Sequence, residues 1–357
     1  MRIVFRADAS AAIGAGHVIR CTTLAQELAR RGAEICFASR VTNGHYINWL
    51  RSKGFDVEPL PLGEPAETNT ADIYNGWLGA SLAQEIKEMS DLLEHREPID
   101  WLVTDHYAID RRWQTALRPF ARSVMSIDDL ANRTHDCDLL LDQNLYPASG
   151  VRYANLLSAS TKTLLGPHYA LLRPQFLACR SRLRNRDGEV RRVFIFMGGG
   201  DTASVTDTVL SAFCQSRHTG VVMDVVVGVE PNVAYIQKIQ GKLPNVKFHY
   251  RVDQIAELMM QADLAIGATG VATWERAALG LPALAVSVAE NQRAIASNAH
   301  EAGLLTWIGS VDDICEEEWV AHIDDAFSSP ERLRKQSAAC LALVDAQGVH
   351  RVADAML

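Results

Sequence analysis

The chain has 357 residues, of which 48% are apolar and 22% charged, with a formal net charge of −8. That length exceeds what one hydrophobic core usually serves and predicts two domains. The acidic balance excludes a protein that coats nucleic acid, which needs clustered Lys and Arg.

The opening Met1-Arg2-Ile3-Val4-Phe5-Arg6 reads as a first strand and not as a signal peptide. Arg2–Ala7 is followed by helical spacing over Val18–Arg31, with Gly32 as its stop. Glu34–Ala38 is a strand, His45–Lys53 helical, Phe55–Leu60 extended, and Pro59 to Thr70 a surface loop. Leu82–Glu94 is an amphipathic helix. Trp101–Thr104 is a buried strand ending at Asp105-His106-Tyr107. Arg111–Phe120 is helical, Ser123–Ile127 a strand ending at Asp128-Asp129, and Leu139–Leu141 a strand ending at Asp142-Gln143-Asn144.

Tyr146–Asn185 breaks this rhythm, and the alternation then restarts. Arg192–Met197, Met223–Val227, Val246–Tyr250, Leu264–Ile266 and Ala283–Val286 read as strands. Helices are expected from about Ser204, up to Ala262, over Val271–Leu279 and Gln292–Ala302, and from Pro330 onward. Strand–helix alternation predicts parallel, doubly wound sheets. The predicted organisation is a first Rossmann-like domain over 1–165, a connection over 166–190, a second over 191–330, and a C-terminal helix over 331–357 packing back on the first. No run reaches about 18 apolar residues, so no membrane span is predicted. Seven scattered cysteines without C-x-x-C spacing read as reduced thiols of a cytoplasmic protein.

Polar residues follow the carboxyl ends of the apolar strands, where ligands sit in open α/β sheets. Gly14-Ala15-Gly16-His17 joins the first strand to the first helix, and small residues there let an anionic ligand approach the helix amides. It is neither a dinucleotide fingerprint nor a Walker A loop, since no G-x-G-x-x-G and no G-K-[ST] is present. His17 faces the positive end of the helix dipole, which favours the neutral, proton-accepting ring; capping or phosphate binding is the alternative. Gly198-Gly199-Gly200-Asp201 forms a second amide-rich loop, with Asp201 either a ligand contact or a cap. Thr269-Gly270 leads into a helix that carries Glu275, placed to accept from ribose hydroxyls or simply solvated. In Glu290-Asn291-Gln292 the amides can bridge sugar hydroxyls, or Asn291 can cap a helix.

Several motifs together resemble the UDP-2,4-diacetamido-2,4,6-trideoxy-β-L-altropyranose hydrolases of pseudaminic acid biosynthesis. They are Arg6-Ala7-Asp8-Ala9-Ser10, Ile13-Gly14-x-Gly16-His17, Arg20-Cys21, Asp105-His106-Tyr107, Ile127-Asp128-Asp129 and Asp142-Gln143-Asn144. Gly166-x-x-Tyr169-x-x-Leu172-Arg173, Met197-Gly198-Gly199 with Asp201, and Glu290-Asn291-Gln292 continue the match. The resemblance implies a GT-B fold, related to the lipid II-forming N-acetylglucosaminyltransferase, with two Rossmann-like domains and an interdomain cleft. It implies UDP in the second domain and the sugar and base in the first. His17 is then the general base and Asn291 a second catalytic or sugar-site residue. Glu275 is the ribose contact, and Asp8, Arg20, Tyr107, Asn144 and Tyr169 join Gly14, Gly16, Gly198, Gly199, Asp201, Thr269, Gly270 and Gln292 around the substrate. The chain departs from the family at Gly200, where a hydroxyl residue is common.

The implied reaction is metal-independent, inverting hydrolysis of the UDP-sugar, with no cofactor. The expected partners are the UDP-sugar and other enzymes of the same sugar pathway. A GT-B glycosyltransferase, a UDP-sugar 2-epimerase and a non-catalytic nucleotide-sugar-binding subunit remain alternatives. A lipid-acceptor transferase would show an apolar or basic docking patch, for which Trp49, Trp77 and Trp101 are available.

Overall fold

A computed structural model describes residues 1–63, 74–198, 203–228, 230–250 and 252–357. The chain folds as two compact units: Met1–Leu171 with Gly348–Leu357, and Leu172–Gln347.

The first unit is built on seven parallel strands: β1 (Arg2–Ala7), β2 (Glu34–Arg40), β3 (Asp56–Leu60), β4 (Ile99–Asp105), β5 (Ala121–Ile127), β6 (Leu139–Asp142) and β7 (Lys162–Leu165). Their order is β3-β2-β1-β4-β5-β6-β7. Successive side chains of β1 serve opposite faces, as a period of two requires. Ile3 and Phe5 enter a core with Leu24, Leu28, Val103 and Met125, while Val4 enters another with Ala38, Leu102 and Trp113. A parallel sheet covered on both faces explains why these strands read as continuous apolar runs.

The second unit has six parallel strands: β8 (Arg192–Phe196), β9 (Val222–Val227), β10 (Val246–Tyr250), β11 (Leu264–Ala268), β12 (Ala283–Ser287) and β13 (Thr306–Ser310). They run in the order β10-β9-β8-β11-β12-β13. Val193, Ile195, Leu264, Ile266, Leu284 and Val286 form its central core with Phe213 and Trp319. No helix of the described residues is long and apolar enough to cross a membrane.

Three features differ from the sequence expectation. β7 and β13 were not expected; both are sheet edges, and Lys162, Thr163 and Thr306 supply no apolar run. The stretch 331–357 is not one helix. Pro330–Leu343 lies in the second unit, the chain turns at Val344 and Ala346 (φ 62°), and Gly348–Met356 lies in the first. Of residues 166–190, read as a connection, 166–171 belong to the first unit and 172–190 to the second, where Arg186 donates to the carbonyls of Met259, Ala262, Leu279 and Gly280.

Candidate active site

The first helix spans Gly16–Arg30, so His17 stands in its first turn. Gly14 takes a left-handed turn (φ 75°) and donates its N–H to Ser10 O at 2.8 Å, which closes the loop ahead of the helix. A Cβ on Gly14 or Gly16 would meet nothing within 4 Å, so the space beside this turn is open.

The helix start delivers His17 to the carboxyl end of β4. Its Nδ1 lies 2.6 Å from Asp105 Oδ1. A carboxylate only accepts, so Nδ1 carries the proton and donates, and Nε2 is left as the acceptor. Asp105 is wholly buried. Burial opposes its charge, but Arg20 and His17 beside it hold the carboxyl well below the usual carboxylate range. Arg20 donates to Asp105 through Nε at 2.6 Å and Nη2 at 2.7 Å, and through Nη1 to Asp129 at 2.7 Å.

Asp129, just past β5, collects the remaining donors. It also accepts from Tyr107 OH at 2.9 Å and from Asn144 Nδ2 at 2.7 Å. Burial and Asp129 push the Tyr107 phenol well above its ordinary range, so it stays a donor. The Tyr107 ring meets the His17 ring edge-on at 4.7 Å. Trp77 stacks on the Tyr107 ring at 5.6 Å, and Tyr74 meets both rings edge-on. Arg152 lies over the Tyr146 ring at 3.6 Å and donates to Asp129 O at 2.7 Å.

Of the expected residues, His17, Arg20, Tyr107 and Asn144 therefore converge in one hydrogen-bonded group. Asp8 does not join their hydrogen bonds. It is fully buried beneath the end of β1, where Oδ1 accepts from Arg6 Nη1 at 2.6 Å, Arg40 N at 2.7 Å and Ser39 Oγ at 3.3 Å. Burial raises the Asp8 carboxyl, but Arg6 pulls it down to about 2. Arg6, Arg40 and Glu85 complete this buried network, while Asp8 Oδ2 lies 3.5 Å from His106 Nε2 with no hydrogen-bond partner among the described residues. Tyr169, in the turn Pro167–Tyr169, packs against the first unit's core and the His168 ring.

The second unit gathers a separate set at the carboxyl ends of β8, β11 and β12. Gly198 follows β8 in a left-handed conformation (φ 103°). Gly199 and Asp201 lie outside the described residues, as does Gly200. Gly270 (φ 139°) opens the helix Val271–Ala278 and donates its N–H to Thr273 Oγ1 at 3.2 Å. Thr269 is buried and donates from N to Val286 O at 3.0 Å. Its Oγ1 lies 3.5 Å from Gln292 Oε1, which also accepts from Val288 N at 3.1 Å. Glu275 is buried and accepts from Arg173 Nη2 at 2.7 Å. Asn291 sits half-buried in the first turn of the helix Glu290–Glu301, whose N-cap is Ala289. Asn291 is therefore inside the helix and does not cap it.

Asp105, Asp129, Tyr74, Trp77 and Arg152 were not among the expected site residues. Alternation past a strand end could have found the first two. In Asp105-His106-Tyr107, residues one and three share a side and meet His17 and Asp129, while His106 turns toward Asp8, 3.5 Å away.

No family model matches the chain. The UDP-2,4-diacetamido-2,4,6-trideoxy-beta-L-altropyranose hydrolase of Campylobacter jejuni is 25% identical over 264 residues, covering 74% of this chain and 83% of that protein. The spore coat polysaccharide biosynthesis protein SpsG of Bacillus subtilis is 24% identical over 355 residues, covering 99% and 96%. An uncharacterized Methanocaldococcus jannaschii protein, MJ1062, is 24% identical over 305 residues; the match takes in 82% of this chain but 57% of that longer protein. Among solved structures, MurG of Acinetobacter baumannii superposes with a TM-score of 0.66 at 14% identity, covering 99% of each chain. Arabidopsis thaliana UGT89C1 complexed with UDP gives 0.69 at 13%, again covering 99% of each. The fold is that of the GT-B glycosyltransferases.

Proposed function

We propose that this protein processes a UDP-sugar, and specifically that it hydrolyses a UDP-linked 2,4-diacetamido-2,4,6-trideoxy hexose with inversion. The observation that carries the reading is the 2.6 Å contact of His17 Nδ1 with the buried carboxylate of Asp105. It leaves Nε2 as a proton acceptor at the open end of the first unit's sheet. The sequence likeness to the Campylobacter jejuni hydrolase and the shared fold with a UDP-complexed glycosyltransferase support the substrate class.

In this reading a water oxygen attacks the anomeric carbon while its proton passes to His17 Nε2. The bond from that carbon to the departing UDP oxygen breaks, and the products are UDP and the free sugar. Asp105 and Arg20 fix the imidazole and stabilise its protonated form as it appears. Tyr107 and Asn144, both held by Asp129, face the sugar; with its one proton given to Asp129, the Tyr107 oxygen serves the sugar as an acceptor. In the second unit Gly198 and the helix start at Gly270 meet the diphosphate, Glu275 takes ribose hydroxyls, and Asn291 with Gln292 contacts the sugar.

The test is a proton NMR time course with purified protein, the UDP-linked diacetamido sugar and EDTA. Release of UDP with the inverted anomer appearing first supports the hydrolase, and persistence with EDTA supports the metal-independent course. Unchanged substrate overturns it. The same His17–Asp105 pair could activate an acceptor hydroxyl, and the fold is shared with glycosyltransferases such as MurG. A glycosylated acceptor recovered in place of free sugar would establish that reading instead.

A further inference from the structure

Among the described residues the second unit buries two arginines that form no ion pair: Arg186, whose guanidinium is taken up by backbone carbonyls, and Arg276, whose guanidinium is taken up only in part. Arg276 is 2% exposed and is the sixth residue of the helix Val271–Ala278. Its Nη2 donates to Ala268 O at 3.0 Å and reaches Thr273 Oγ1 at 3.4 Å. Thr273 Oγ1 in turn accepts from Gly270 N–H at 3.2 Å. One guanidinium thus ties together the end of β11, the turn and the start of the helix. Gly267 makes room for it: a Cβ there would come within 2.9 Å of Arg276 Nη1 and 2.3 Å of Phe196 O.

Among the described residues no ion pair is formed by Arg276, and its buried Nε has no hydrogen-bond partner. The adjacent carboxylate, Glu275, gives its Oε1 to Arg173 at 2.7 Å. Burial brings Arg276 down to about 10, a direction that Glu275 only partly opposes. A buried charge without a counterion is costly. Here it also lies behind a helix start, whose partial charge has the same sign. An anion at the turn relieves both at once.

We propose that Arg276 is a positioning residue for a nucleotide diphosphate, bracing the turn 267–273 while its charge is neutralised by the bound ligand. The proposal rests on the reading that UDP occupies the second unit. A charge role of this kind scales with the number of phosphates, whereas a purely structural role would weaken every uridine ligand alike.

The experiment is calorimetric titration of the full chain with uridine, UMP and UDP, for the wild type, R276Q and R276K. In R276Q, UDP affinity is expected to fall about tenfold or more, UMP less, and uridine to stay unchanged. R276K, which keeps the charge, is expected to retain most of the preference for UDP over uridine. Should R276Q not fold, the test passes to the wild-type protein labelled with ¹⁵N-arginine, with R276K assigning the signal. The Arg276 Nε resonance is then expected to shift with UDP and not with uridine. An unchanged UDP-to-uridine ratio in R276Q, a parallel loss of both, or an Nε signal blind to UDP overturns the proposal. A wild-type protein that binds no UDP overturns the nucleotide reading of the second unit along with it.

Discussion

Arg20 meets Asp105 side-on: Nε lies 2.6 Å from Oδ2 and Nη2 2.7 Å from Oδ1, while Nη1 reaches Asp129 at 2.7 Å. A planar fork with three aligned donors can hold both carboxylates at once, and a lysine ammonium cannot. Arg20→Lys is therefore expected to lower kcat for the UDP-sugar about 10- to 100-fold with the fold intact. Steady-state kinetics beside a circular dichroism spectrum checks this; wild-type turnover in R20K would contradict the bracing role.

The His17–Asp105 pair makes a sharper prediction. Asp105→Asn can present an amide N–H to Nδ1, which favours the tautomer with its proton on Nε2, the wrong nitrogen for a base. A fall in kcat of about 10² to 10⁴ is expected, with KM moving much less. His17→Ala is expected to fall at least as far, and the double variant no further than the worse single one. Additive losses would show that the two residues do not act as a unit.

Stability against acid should depend on two buried histidines. Burial holds His106 and His135 down to about 4, with Asp8 and Asp128 respectively opposing it only in part. The unfolded chain binds these protons near 6.5 and the folded chain does not. Their contribution is therefore complete above about 6.5 and lost as the pH falls toward 4, by up to about 3 kcal/mol for each. Urea titrations at pH 7 and pH 5 are expected to show the loss in the wild type and a smaller one in His106→Gln.

Asp142 works in the opposite direction. Burial and the nearby Asp129 push its carboxyl up to about 7, with Asn144 N–H and Arg152 pulling back. Between the ordinary 3.8 and 7 the folded chain holds this proton more tightly than the unfolded one, so stability falls as the pH rises through that window. Asp142→Asn is expected to gain stability over the wild type at pH 8 and not at pH 4. Equal differences at both values would contradict the assignment.

Gly348 offers a steric test. A Cβ there would lie 2.4 Å from Ala170 O and 2.5 Å from Ala170 N, both backbone. Gly348→Ala is expected to cost about 2–4 kcal/mol, read as a drop in melting temperature. Gly32→Ala, whose Cβ would meet nothing within 4 Å, separates this clash from backbone strain, since Gly32 has φ 91°.

Much of the sheet was legible because strands buried on both faces leave apolar runs such as Ile3-Val4-Phe5 and Leu139-Leu140-Leu141. The edge strands β7 and β13 were not, because an edge needs no second apolar face. His17 could be picked out from its place after a glycine turn, but its partner is 88 residues away and only the fold joins them. The surroundings of Asp8 were hidden for a related reason. A carboxylate at a strand end looks the same in sequence whether it stands alone or, as here, pairs with an arginine two residues back on the same face. The division of labour between Asp128 and Asp129 follows from adjacent side chains pointing apart. Asp129 serves Arg20 and Tyr107, and Asp128 pairs with Arg133 and accepts from Tyr153.

The helix Gly348–Met356 fills the first unit's core with Val349, Val352, Ala353 and Met356, and Trp101 Nε1 donates to Met356 O at 2.9 Å. In a chain made from residue 1 onward, that core has a hole until the 350s emerge from the ribosome. The second unit can therefore finish folding during synthesis before the first does, reversing the usual vectorial order. A chain truncated after Gln347 would carry a protease-sensitive first unit beside a resistant second one.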